Sequence, residues 1–157
     1  AAAQATGSDF VKGYAALLID VVNLRCAVRA SRLGRGSDFL GQVLLPGGSV
    51  EPQTIQRAKG EELGHVFAAG SLAAAAALGA AVSAPGSGPL TAFERACDNA
   101  VTAYVAAARR VPFGEQTVVG YLYAREAELT AIRTIMSGRL AGLDGDTIRE
   151  RLRDSYV

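Results

Sequence analysis

Residues 10–44 and 118–152 align without a gap at a constant offset of 108 positions. Apolar residues meet throughout: Phe10 with Val118, Tyr14 with Leu122, Val21 with Leu129, Leu24 with Ile132, Val28 with Met136 and Leu40 with Ile148. Two amphipathic helices would share that much. Stronger evidence is that the two stretches share an acid (Asp20, Glu128), an arginine (Arg25, Arg133) and a terminal glycine (Gly34, Gly142) at the same offsets. The period is too long for a solenoid, so the echo predicts duplicated helical lobes, one over 8–86 and one over 87–157.

Local signals give the same all-α reading. No run of alternating apolar and polar residues is flanked by turn chemistry, which argues against strands. Ser8 is placed to cap a helix that Gly34 ends. On it Phe10, Tyr14, Leu17, Val21, Leu24 and Val28 form one stripe. Shorter helices are expected over 37–45, 51–59, 61–69 and 71–83, with Ser83–Pro89 as a linker. Thr91 and Glu94 have capping-box spacing for a helix presenting Phe93, Cys97, Val101, Tyr104 and Val105. A long helix follows over 115–139, and Asp144 is placed to cap a last one.

Composition narrows the classes. Sixteen Lys and Arg against fifteen Asp and Glu leave a net charge of +1, without the concentrated cationic footprint of a nucleic-acid binder. The uncharged run from Val66 to Phe93 has the length of a membrane span, but Ala, Gly and Ser dominate it and Pro85 breaks it. It reads as a close-packed helix. No signal peptide is evident, and two helical cysteines, Cys26 and Cys97, fit a reducing compartment. The opening AAAQATGS has no initiator Met and reads as the start of a piece of a longer protein.

Nothing here has the pattern of a catalytic or metal site, and no cofactor is implied. His65 stands alone on a helix with Leu63, Val66 and Phe67, and is expected to be a partly buried structural residue. No CxxC, HExxH, GxSxG or Walker A pattern occurs, and GRGSD at 34–38 lacks both the lysine and the preceding strand of a phosphate loop. The charges that stand out are Asp20, Arg25, Arg29, Arg32, Glu126, Glu128 and Arg133. Arg25 and Arg133 project within apolar stripes, each five residues after its acid, and Glu126 lies two turns below Arg133. A desolvated arginine left unpaired costs about 3–5 kcal/mol. Each is therefore expected to reach a carboxylate or helix-end carbonyls on another helix, or to act at an interface between subunits. Arg25, Arg29 and Arg32 with Arg35 suit a helix C-terminus or a surface for an acidic partner.

The stretch from Pro112 through Tyr121–Glu128 and Arg133 to Gly138-Arg139-Leu140-Ala141-Gly142-Leu143 resembles the C-terminal end of the C/d family of V-type and A-type ATPase subunits. The early run LLIDVVNLRCAVRASRLG with LLPGG is similar to that family's "L-x-D-x-x-N-x-R" helix and "L-P-G-G" turn, placing Asp20, Asn23, Arg25 and Pro46-Gly47-Gly48 in the motif. The two regions cover about half the chain, and 50–90 fits no recognised pattern. The resemblance implies a non-catalytic rotor subunit, built of helical lobes arranged as a funnel. Its partners would be the membrane proteolipid ring and the central-shaft subunits of a rotary ATPase. It would lie in the cytoplasm, peripheral at the inner membrane face and not inserted. The alternative is a helical adaptor or regulatory module unrelated to a rotary motor.

Overall fold

The computed structural model describes residues 2–156, and among these there are helices and no strands. They fall into two compact units, one up to Cys97 and one from Asp98. The first contains α1 (Ala2–Ala5), α2 (Asp9–Arg32), α3 (Ser37–Val43), α4 (Pro52–Arg57), α5 (Glu62–Val66), α6 (Ala73–Ala81) and the start of α7 (Thr91–Ala106). The second contains the rest of α7, a 3₁₀ turn (Ala107–Arg110), α8 (Glu115–Leu140) and α9 (Gly145–Arg151).

α2 is the axis of the first unit. The Ser8 hydroxyl accepts a hydrogen bond from Val11 N, as expected of an N-cap. Of the predicted stripe, Leu17, Val21, Leu24 and Val28 are buried, Leu24 and Val28 being sealed from solvent, while Phe10 and Tyr14 in the first turns are half-buried. Their cover includes the alanine-rich helix α6. Gly79 lies so close to α2 that an added Cβ would sit 2.9 Å from both Val28 Cγ2 and Phe93 Cε2. α5 meets α6 through equally small groups, Gly64 facing Ala80 and the backbone of Ala77. The uncharged run of the sequence thus contains a nine-residue packing helix. No helix among the described residues is long and apolar enough to cross a membrane.

The echo in sequence is an echo in backbone. α2 ends at Arg32 and α8 at Leu140, the same position at the offset of 108. α3 and α9 correspond residue for residue over their whole length. Both long helices close with a Schellman motif, the glycine being left-handed at φ +63° (Gly34) and +71° (Gly142). The matching bonds are Gly34 N to Ser31 O and Arg35 N to Ala30 O in one copy. In the other they are Gly142 N to Arg139 O and Leu143 N to Gly138 O. Leu40 and Ile148 are buried at equivalent places on the short helix. Where Ala30 stands in the first copy, Gly138 is needed in the second, because a Cβ there would come within 2.7 Å of Ile148 Cγ1.

Two local expectations change. α7 begins at Thr91 itself, with Glu94 N bonded to Leu90 O, so Thr91 and Glu94 do not form the capping box. The Glu94 carboxylate is drawn to arginines of α2 instead. His65 is exposed rather than partly buried, and borders an open recess with Thr54, Arg57 and Glu62.

Candidate functional site

The "D-x-x-N-x-R" residues of α2 lie within about a turn and a half and do separate jobs. Asn23, fully buried, forms a two-way clamp on Leu45: Oδ1 accepts from Leu45 N at 2.8 Å and Nδ2 donates to Leu45 O at 2.8 Å. Asp20, also buried, accepts from Ser49 N at 2.9 Å, Ser49 Oγ at 2.5 Å and Val50 N at 3.4 Å. Between these anchors lies the Pro46-Gly47-Gly48 turn. Gly47 is needed for its φ of +98°, whereas Gly48 is needed for space, since a Cβ would run into the Asp20 carboxylate. A buried carboxylate is tolerable here because three donors replace its water.

The arginines run down α2 at spacings of four and three and reach the α6–α7 connection. Arg25 Nε lies 2.7 Å from Glu94 Oε2, and its Nη2 donates to Glu94 O at 3.2 Å. Arg29 Nη2 takes the other carboxylate oxygen at 2.6 Å. Arg32 Nη1 donates to Gly88 O at 2.8 Å and Val82 O at 3.4 Å. One carboxylate in the first turn of α7 thus holds two guanidiniums from α2, and the Ser83–Pro89 segment is tied to the end of the same helix. Arg25 and Glu94 are mostly buried, so this pair contributes more than Arg29, whose side chain is 58% exposed.

In the second unit the corresponding charges are differently placed. Glu128 pairs with Arg125, one turn earlier, at 2.6 Å on the surface. Arg133 is exposed, and among the described residues no carboxylate faces it. Glu126 is also exposed and lies near Tyr123. Burial is the main cause that pushes the Tyr123 hydroxyl above its ordinary pKa; the Thr102 hydroxyl, 2.8 Å away, works in the opposite direction. The segment after α9 is tied to α7 by Arg153 Nε to Asp98 Oδ2 at 2.5 Å and by Asp154 N to Asn99 Oδ1 at 3.0 Å.

Sequence reasoning passed over Ser49, and it named Asn23 in the motif and Glu94 at a helix start without giving either the role it has here. The signal for Asn23 was present: a mid-helix Asn competes with its own backbone, so it needs a partner elsewhere to be tolerated. Glu94 carried a misleading signal, because its spacing from Thr91 offered a local explanation. Among the described residues no group of three or more His, Cys, Asp or Glu is placed to hold a metal ion.

These features define an all-helical scaffold of repeated long-helix units whose polar side chains hold helices to turns. Its sequence matches the family model of the ATP synthase (C/AC39) subunit over residues 1–151, and the chain belongs to that family. The match runs through the middle region that fitted no recognised motif. The chain is also 44% identical over 59 residues to the C subunit of the A-type ATP synthase of Haloquadratum walsbyi. That stretch is 37% of this chain and 17% of the relative's length. No solved structure matches the chain.

Proposed function

We propose that the protein is a non-catalytic coupling subunit on the rotor of a V/A-type rotary ATPase or ATP synthase. In this role it joins the membrane proteolipid ring to the central shaft during ATP-linked ion transport. It works in the cytoplasm, against the inner membrane face and not inserted in it. The observation that carries this reading is the family match over residues 1–151. The chemistry described above is compatible with it, since Asp20, Asn23, Arg25 and Arg32 are engaged in holding one segment against another. A body that transmits torque needs such fixed joints and close packing.

The test is affinity purification of the protein, tagged in its source organism. Proteolipid-ring and central-shaft subunits are expected to come down with it in constant proportion. Recovery with neither, while both are present at normal levels, would refute the rotor role and favour a free-standing helical adaptor.

A further inference from the structure

The outward face of α8 carries Val118, Leu122, Leu129, Ile132, Met136 and Leu140, between 46% and 87% exposed. They lie on one side of the helix, opposite Gly120, Ala127, Ala131 and Gly138, which face inward. At the offset of 108, Leu129, Ile132 and Met136 are the counterparts of Val21, Leu24 and Val28, which are 3%, 0% and 0% exposed. The difference is the cover. In the first unit the small-residue helix α6 lies on α2, brought close by Gly79, and the following helix supplies Glu94 to Arg25. Arg133 is the counterpart of Arg25, and it stands exposed beside Ile132 with no carboxylate facing it among the described residues.

We propose that the C-terminal half of α8 is a docking surface for a partner helix of the α6 type. That helix would show Ala and Gly along one face and be followed closely by a helix start whose carboxylate takes Arg133. Three observations on this protein support that occupant: an apolar stripe in the same register, a cation at the same offset, and a worked example of what covers such a face. A second copy of the chain is disfavoured, because its own α6 and Glu94 are already engaged by its own α2. The inference goes beyond the rotor reading and does not depend on it.

The test uses the 157-residue chain with methyl labels and, as probe, a synthetic peptide of residues 71–98 of the same sequence. Binding is expected to shift the Ile132 and Met136 methyls while leaving Ile55, in the core of the first unit, unmoved. A peptide carrying Glu94→Gln should bind roughly fivefold more weakly, the scale of a partly desolvated ion pair. Against Arg133→Ala in the chain, the two peptides should bind alike, which assigns the difference to that pair. Arg133 is exposed, so this variant leaves the core intact. Four results would each overturn the proposal: no methyl shifts at high peptide concentration, shifts confined to Leu24 and Val28, equal affinity of the two peptides for the unaltered chain, or self-association of the chain through α8 without peptide.

Discussion

At the scale of single residues, the turn after α3 depends on α2 for nearly all its polar contacts. Asn23→Ala would leave the Leu45 N–H and C=O without their shared partner, a loss of about 2 kcal/mol or more. Gly48→Ala pushes a methyl into the Asp20 carboxylate and should cost ~1–3 kcal/mol, the range for overpacking a filled site. Both are measured by urea unfolding. A change below about 0.5 kcal/mol, the usual size for a surface substitution, would mean the clamp is not a principal support. The motif itself was legible in the sequence, whereas the destinations of its side chains were not. Asp20 and Arg25 read as members of one acid–arginine set because they are close in the chain. They separate because Asp20 meets three donors from the turn, while Arg25 meets a carboxylate 69 positions downstream. No local rule fixes a partner at that distance.

At the scale of elements, helix ends were the most readable feature. Ser8, Gly34, Gly142 and Asp144 each act through their own backbone or the next few residues, so sequence alone places them. The helices between 50 and 82 are shorter than expected, at 52–57, 62–66 and 73–81; none has a side-chain cap, and they pack on α2 (α4 and α6) or on α6 (α5). The paired Schellman motifs give a direct comparison. Gly34→Ala and Gly142→Ala force an L-residue into the same left-handed backbone, and each should lose about 1 kcal/mol. Each glycine has open space around its Cβ position, so the two losses should agree. A large inequality between the two unfolding curves would mean that the ends are not equivalent. α9 has a pH dependence of its own. The Asp144 carboxylate is held below its ordinary pKa, first by the Thr147 hydroxyl and then by the Thr147 N–H. A carboxylate lowered on folding stabilises above its unfolded pKa, and that support is lost as pH falls through the lower folded value. Acidification below the ordinary carboxylate range should therefore fray α9, seen as movement of the Thr147 amide resonance. Asp144→Asn should abolish that acid step.

At the scale of the whole molecule, the burial is uneven. Of the buried apolar side chains among the described residues, only Val101, Val105, Ala108 and Ile148 belong to the second unit. Amides along α8 are therefore expected to exchange with solvent faster than those in the middle of α2, measured by native-state hydrogen exchange. Equal protection would show that α8 is more stable than its burial allows. The matching helix ends at the offset of 108 and the all-helical class were both legible, since periodicity and offset belong to the sequence. The unequal burial of the two copies was not. An apolar stripe states that a face avoids water, and whether it does so depends on a covering helix elsewhere in the chain. The clamp on α2 has one further consequence, concerning shear. Sliding α2 by one residue past the turn is a displacement of about 1.5 Å, enough to break all five hydrogen bonds that Asn23 and Asp20 make to Leu45, Ser49 and Val50. These bonds resist in both axial directions, so the joint acts as a detent: α2 and its turn travel together under a push or a pull.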